Sequence, residues 1–254
     1  APSELTQHAT LALTKINQTV DIDLIRDGDP AFTLPIADDT FNDGEFTWTI
    51  PSSITPADDY RVRVTRGSLT DTSNHVFEIT TPVTTYYVNL AADSDLTDNQ
   101  WTTAAGSDAN SGLSPDQPKA SIRAVLESFD LGIGDTIRVD TGHYLLSANT
   151  LIAAEDSGVR IVGADGVDSF GTPRQTVLDR GNTNNGNYVF QFTGGDEVTL
   201  ENLSITGGYI GVFAGPGTNS RDVSLVNNRF FNNRQAQVAV HTTNDNWRIV
   251  GNDI

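Results

Sequence analysis

The sequence contains no cysteine and no methionine. Without Cys, the chain can form no disulfide bond, no thiolate metal site and no Cys nucleophile. Without an initiator Met, we expect a mature or excised piece of a longer precursor. No apolar run approaches the roughly 18 residues that span a bilayer, and the first ten residues lack the regions of a signal peptide. We therefore expect no membrane insertion.

Basic residues are also scarce, with 15 Lys and Arg against 33 Asp and Glu and a formal net charge of −18. Such a charge repels phosphate backbones and anionic surfaces, so we expect no nucleic-acid partner. The acidity is compatible with scattered Ca²⁺ sites, because hard cations prefer carboxylate and carbonyl oxygens. It is also compatible with a saline habitat or with solubility alone, and solubility is the favoured interpretation.

Short alternating segments separated by turn residues fill positions 1 to 81 and predict a β-sandwich. In the segment 46–50, Trp48 alternates with Phe46 and Ile50 before Pro51 ends the strand, which favours core packing over a sugar-stacking role. An acidic loop, or a Ca²⁺ site between loops, accounts for Asp38, Asp39, Asp43 and Glu45. The predicted strands are Val20–Ile25, Phe46–Ile50, Tyr60–Val64 and Val76–Ile79, with turns at 26–30, 42–44 and 71–74.

The segments GEFTWTIPSSITPADDYRVRV (44–64) and DTSNHVFEIT (71–80) resemble the immunoglobulin-like modules of bacterial and fungal extracellular proteins. The resemblance implies a spacer or accessory domain. Such modules have an opening strand before the position of Ala1, so the resemblance also implies that this strand is missing or diverged.

Residues 85–254 predict a different organisation. Apolar residues at Ile122, Val125, Leu126 and Phe129 have the spacing of one amphipathic helix. A strand and a polar loop precede this helix, and only strand patterns follow it. One early helix followed by strands argues against a doubly wound α/β sheet.

The last third of the chain repeats. Segments 198–205, 223–230 and 247–254 align with steps of 25 and 24 residues and share apolar residues at their first, third and eighth positions. A second alignment sets 211–213 over 237–240. Steps of this length, with short strands and Asn or Gly corners, are typical of a β-solenoid, in which coils stack about 4.8 Å apart.

Stacked coils predict columns of like residues. Asn accepts left-handed backbone and can bond its amide to the next coil, so we interpret the repeated Asn as structural. The predicted columns are Val198–Val223–Trp247, the corner Asn202–Asn227–Gly251, and Asn228–Asn252 at the following corner.

The motifs YYVN, GSDANSGLSPDQPKASIRAVL and GDTIRVDTGHY, with the later coils, resemble the pectin-lyase-like superfamily of right-handed parallel β-helices. The resemblance implies an all-β fold in which residues 85–254 are an N-terminal cap with its helix and the first coils. Its members include polysaccharide lyases, hydrolases and epimerases, together with adhesins, tail spikes and surface proteins without known activity.

Lyases of this kind use Lys or Arg as the base with a cation beside the uronate, and hydrolases use clustered Asp. No such cluster is evident here. Asp179-Arg180 is the most suggestive pair, although a surface ion pair or a solvated loop is the favoured interpretation. His143 and His241 are isolated in sequence. The full set of candidates is Arg160, Asp179, Arg180, Arg221, Arg229, Arg234, His241 and Arg248, with Asp196 and Asp222 as cation ligands.

Asp93, Asp95 and Asp98 form an acidic run in the cap loop that could hold structural Ca²⁺, but the run lacks the Gly and terminal Glu of an EF-hand. No other cofactor is expected.

The sequence therefore favours a secreted structural or adhesive module, such as a stalk, surface-layer or filament segment. Because Ile254 falls within a coil, we expect either further coils or self-association through the open end. The alternatives are an anionic-polysaccharide lyase or another polysaccharide-active enzyme, and a glycan-binding module.

Overall fold

The computed structural model describes residues 18–51, 54–80 and 83–254. The chain divides into two compact units, Ala1–Pro82 and Val83–Ile254. Strands dominate both units. None of the described helices is both long and apolar enough to cross a membrane.

The described part of the first unit contains one antiparallel sheet with the order β2-β1-β3-β4, and β5 also pairs with β3. Leu24, Tyr60 and Ile79 form its small buried core. The second sheet of the predicted sandwich is not seen within 18–51 and 54–80. The strands are β1 Thr19–Arg26, β2 Asp29–Phe41, β3 Ala57–Arg66, β4 Leu69–Thr72 and β5 Phe77–Ile79.

The predicted strands at 20–25, 60–64 and 76–79 are confirmed by β1, β3 and β5. The predicted strand at 46–50 is wrong, because this segment joins no ladder, and Phe46 and Ile50 are 45% and 48% exposed. Trp48 alone packs against the core, as predicted. The predicted turn at 71–74 begins too early, because its first two residues belong to β4; β3 turns into β4 at Gly67, which has a φ of 56°.

The second unit contains one helix, a 3₁₀ turn at Ala154–Asp156 and three parallel sheets. The elements are β6 Thr85–Val88, α1 Ile122–Ser128, β7 Thr136–Val139, β8 Gly142–Leu145, β9 Thr150–Ile152, β10 Arg160–Gly163, β11 Thr176–Asn182, β12 Tyr188–Phe192, β13 Thr199–Glu201, β14 Leu203–Gly208, β15 Ile210–Ala214, β16 Ser224–Val226, β17 Arg229–Phe231, β18 Ala236–Val240 and β19 Arg248–Val250. Sheet I has the order β19-β16-β13-β10-β7-β6, sheet II β17-β14-β11-β8 and sheet III β18-β15-β12-β9.

The chain visits sheets I, II and III in turn, and we call each such pass a coil. Coil 1 is β7-β8-β9, coil 2 is β10-β11-β12, coil 3 is β13-β14-β15, coil 4 is β16-β17-β18, and β19 begins a fifth. Every strand of one coil pairs in parallel with the matching strand of the next. The predicted stacking of the last coils is therefore confirmed.

The strand registers agree with the predicted columns. Leu200 pairs with Leu225, and Leu225 pairs with Ile249. Two positions before these residues lie Val198, Val223 and Trp247, and the backbone N–H of the residue after each of them bonds to the coil before it. Val198 and Val223 are fully buried, and each buried aliphatic side chain stabilises the fold by roughly 1.5–3 kcal/mol.

The corners between sheets I and II also follow the prediction. Asn202 and Asn227 have φ values of 54° and 53°, and Gly251 has 69°, which is the left-handed conformation that Asn and Gly tolerate best. At the next position, Oδ1 of Asn252 accepts the N–H of Asn228 at 2.8 Å. The Asn residues therefore connect neighbouring coils.

The predicted helix is confirmed as α1. Ser121 caps it by accepting the N–H of Ala124 at 3.1 Å. Ile122 and Val125 are buried against the coils, and Phe129 packs 4.6 Å from Tyr86 of β6, measured between ring centroids. The helix therefore packs beside β7 and β9 of the same unit and adds to its buried core.

Candidate functional site

The pair singled out by sequence, Asp179-Arg180, lies in β11, and its two side chains have different partners. Asp179 Oδ2 lies 3.0 Å from Nε2 of His143 in β8, and its Oδ1 accepts the N–H of Gly181 at 2.8 Å. His143 is exposed, with 58% of its side chain accessible. The partner of this carboxylate is therefore the imidazole ring of His143 in the neighbouring coil.

Arg180 binds only neutral oxygen atoms. Its Nε donates to Oδ1 of Asn149 at 3.1 Å, one Nη to the carbonyl of Leu146 at 3.1 Å, and the other Nη to Oδ1 of Asn187 at 2.6 Å. Asn149 in turn donates to the carbonyl of Gly186 at 3.0 Å. Each guanidinium nitrogen is thus engaged, and Arg180 joins the loop after β8 to the loop after β11.

The loop that Arg180 supports forms one wall of a groove whose other wall is α1. Two adjoining cavities of about 280 and 390 Å³ share Arg123, Glu127 and Ala148. Leu145 lines the first cavity and Leu151 the second, and they are 75% and 51% exposed. This groove is the candidate functional site, because concave surfaces with apolar walls and a few polar groups are where small ligands bind.

The groove is acidic. Arg123 is its one cation among the described residues, and its Nε lies 2.8 Å from Glu127. Asp108, Glu155 and Asp156 add carboxyl groups to the walls. Burial raises the pKa of Asp156, whose Oδ2 accepts the N–H of Ala153 at 2.8 Å. This balance of charge suits a neutral or cationic ligand better than a uronate polymer.

Three further basic candidates lie in ion pairs: Arg160 in β10, Arg221 in the loop between β15 and β16, and Arg229 in β17. Arg160 contacts Glu201 at 2.7 Å across two coils, and the other two pairs, Arg221–Asp245 and Arg229–Asp253, are looser at 3.8 and 3.6 Å. Arg160 belongs to coil 2 and Arg229 to coil 4, and Arg221 lies in the loop that joins coils 3 and 4.

Of the remaining candidates, Asp196 bonds to one of these arginines through the backbone N–H of that arginine only. Asp196 Oδ1 accepts the N–H of Arg221 at 2.6 Å, and Asp222 occupies a left-handed corner with a φ of 55°. Arg234 donates its backbone N–H to the carbonyl of Gly208, and Arg248 is an exposed residue aligned with Ser224. The described residues therefore show no convergence of Arg with Asp of the kind that lyase chemistry needs.

The acidic run in the cap has internal partners. Asp93 Oδ2 accepts the side-chain amides of Asn89 and Asn99, each at 2.8 Å, and Asp95 accepts the hydroxyl of Thr97 at 2.5 Å. Burial and the charges of Asp93, Asp95 and Asp140 raise the pKa of Asp98. Within 18–51, 54–80 and 83–254, no three His, Asp and Glu side chains are arranged to hold a metal ion. The Ca²⁺ site has no support from this geometry and stays a prediction.

Two arrangements escape prediction from sequence. His143 and Asp179 lie 36 positions apart, which no repeat in the sequence indicates. Tyr188 and Phe213 of sheet III stack with centroids 4.3 Å apart, and Phe213 meets the exposed ring of His241 at 5.6 Å. The alignment of 211–213 over 237–240 could have drawn attention to Phe213, but Tyr188 lies in a coil of different length.

No family model, curated protein or solved structure matches the chain.

Proposed function

We propose that residues 83–254 are the cap and first coils of a right-handed parallel β-helix of the pectin-lyase-like kind, and that residues 1–82 are an immunoglobulin-like module. On this proposal the protein is an extracellular structural or adhesive module. The chain then provides a stiff, stacked segment rather than a reaction centre.

One observation carries this proposal: the repeated polar side chains are used to bond one coil to the next. Asn228 Oδ1 accepts the N–H of Leu203 at 3.0 Å, and Asn233 Oδ1 accepts the N–H of Gly208 at 3.0 Å. Asn244 Oδ1 likewise accepts from Ser220, one coil earlier, at 2.9 Å. Buried amides that are fully bonded rigidify the structure around them.

A second candidate function, binding of a neutral glycan, is favoured by the groove beside α1. Its exposed Leu145 and Leu151 provide apolar contact area, and Arg123 with Glu127 provides donors and acceptors. The lyase alternative has weaker support, because each guanidinium nitrogen of Arg180 already donates a hydrogen bond and the groove is acidic.

An assay with pectate and alginate distinguishes a structural module from a polysaccharide lyase. We expect no rise in the ultraviolet absorbance of unsaturated product, with or without added Ca²⁺. A wild-type rate that Arg180→Ala abolishes, while Arg234→Ala retains it, would overturn the structural proposal. Circular dichroism of both variants separates a lost activity from a lost fold.

Glycan binding is tested by titrating neutral oligosaccharides into wild type and into Leu151→Ser. Leu113→Ser is the matched control, because Leu113 is equally exposed, at 51%, and does not line the groove. If only Leu151→Ser binds more weakly than wild type, the groove is supported as the glycan-binding site. If all three proteins bind equally, the groove is not the binding site.

A further inference from the structure

The corner between sheets I and II differs in length in one coil. In coils 1, 3 and 4 the corner has one or two residues, at 140–141, 202 and 227–228. In coil 2 it is the twelve-residue loop 164–175 between β10 and β11. Insertions in a single coil form loops on the outside of a solenoid, and such loops often carry binding surfaces. We call this segment the corner loop.

The corner loop is internally ordered. The N–H of Asp168 donates to the carbonyl of Thr172 at 2.8 Å, and the N–H of Gly171 donates to the carbonyl of Asp168 at 3.1 Å. Asp168 Oδ1 also accepts the N–H groups of Phe170 and Thr172, each at 2.8 Å. These bonds hold Phe170 at the tip of a tight turn.

The base of the corner loop is fixed to the cap. The side chain of Gln100 donates to Oδ1 of Asp165 and accepts the N–H of Asp165, both at 2.8 Å. Arg174 Nε donates to the carbonyl of Asp98 at 2.9 Å, and another of its nitrogens donates to the carbonyl of Val167. A loop held in this way loses little conformational entropy when it binds a partner.

The ordered loop presents apolar side chains to water. Phe170 is 81% exposed and Val167 is 54% exposed. Phe170 has the largest exposed fraction among the exposed large hydrophobic residues of the described chain. An aromatic side chain at a rigid tip has the properties of an interface anchor, which gains most of its energy by entering a pocket.

Five carboxylates lie in the corner loop and in the cap segment bonded to its base. The corner loop contributes Asp165 and Asp168, and the cap segment to which it is bonded contributes Asp93, Asp95 and Asp98. None of these five is ion-paired with a described basic side chain. With a net charge of −18, a second copy of the chain or an anionic membrane would be repelled.

We propose that the corner loop is a docking element for a protein partner whose surface is basic and contains an apolar recess for Phe170. The phenyl ring supplies the buried contact, and the carboxylates of the loop and of the cap segment attract and orient the basic surface.

The test uses a synthetic amphipathic peptide of Lys and Leu as a minimal basic and apolar partner, titrated into the full chain. Backbone amide chemical shifts locate binding. We expect shifts at Val167 and Phe170, an affinity reduced about tenfold in Phe170→Ala, and weaker binding as salt is raised. Leu113→Ala is the matched control, and it should bind as wild type does. Because Phe170 is so exposed, its substitution should leave the fold intact.

Equal affinity of Phe170→Ala and wild type would overturn the proposal, as would shifts confined to other parts of the chain. If a peptide of Glu and Leu with the same pattern binds as tightly as the peptide of Lys and Leu, the partner surface need not be basic and the proposal is wrong. Binding to phosphatidylglycerol vesicles, or dimerisation lost in Phe170→Ala, would assign the loop to a membrane or to a second copy and would equally refute a basic protein partner.

Discussion

Oδ1 of Asn228 lies 3.0 Å from the backbone nitrogen of Leu203, one coil earlier in the chain. Nδ2 of Asn228 donates to the carbonyl of Leu200 at 2.9 Å, so one amide bonds two buried backbone groups of the preceding coil. Because only 1% of Asn228 is exposed, water cannot replace these bonds. The hydrogen bonds that Asn side chains make between coils, which we call the Asn ladder, therefore belong to the buried core.

Replacing Asn228 with Ala should lower the free energy of unfolding by about 2–4 kcal/mol, since a buried donor and a buried acceptor lose their partner. Urea denaturation followed by circular dichroism measures the change. The exposed Asn185→Ala is the control and should unfold as wild type does. If both variants unfold at the same urea concentration, the Asn ladder does not stabilise the coils.

Asp140 fixes the cap loop to the first coil. Its buried carboxylate accepts four bonds from Gln100, Trp101 and Thr102, at 2.7–2.9 Å, and a fifth from the N–H of Thr141 at 2.8 Å. Asp140→Asn places an amide donor against these donors, and we expect a loss of about 3 kcal/mol with faster amide exchange at 100–102. Asp130→Asn, at an exposed position, should change neither. Unaltered protection of these amides in Asp140→Asn would contradict this account.

Gly106 lies where the cap backbone is most crowded. A Cβ at this position would lie 2.0 Å from the carbonyl oxygen of Asn89 and 2.6 Å from that of Lys119. Backbone atoms cannot move aside as a flexible side chain can, so Gly106→Ala should cost about 3 kcal/mol or prevent the cap from folding. Gly132→Ala is the matched control, because its Cβ would meet no atom within 4 Å. Comparable melting temperatures of the two variants would show that the cap tolerates the clash.

Asp98 provides a pH test. Its pKa is raised in the folded protein by burial and by Asp93, Asp95 and Asp140. The folded state therefore holds this proton more tightly than the unfolded state, and the contribution of Asp98 to stability falls as the pH rises from the usual value of 3.8 through the raised pKa. Asp98→Asn should stabilise the protein at pH 7 by about 0.5 kcal/mol, the scale of interactions between partly exposed charges.

The gain from Asp98→Asn should shrink below the raised pKa, where wild-type Asp98 is already neutral. Denaturation curves of wild type and Asp98→Asn at pH 7 and at acid pH, with and without millimolar CaCl₂, measure this difference in stability. Asp130→Asn controls for the general loss of negative charge. If Asp98→Asn proves less stable than wild type only when Ca²⁺ is present, the acidic run binds Ca²⁺. The stabilisation expected from Asp98→Asn would then be wrong for the Ca²⁺-bound protein.

The stacking of the last coils could be predicted from sequence because the coils have nearly equal length. Val198, Val223 and Trp247 recur at steps of 25 and 24, and the Asn corners recur with them. A coil of different length breaks this regular recurrence of residues. The twelve-residue corner loop shifts coil 2 out of step, so the contact between His143 and Asp179 could not be predicted by aligning repeats.

By itself, the sequence determined the cap helix, the period of the last coils and the structural role of their Asn corners, because these depend on local spacing and on backbone conformations that few residues accept. Only the tertiary structure decided that Arg180 binds neutral oxygens, that Asp179 meets His143, that Phe46 and Ile50 are exposed and that Phe170 projects from an ordered loop. Those outcomes depend on which strands pair and on how long the intervening loops are. Pairing between distant strands is set by the packing of the whole unit rather than by neighbouring residues.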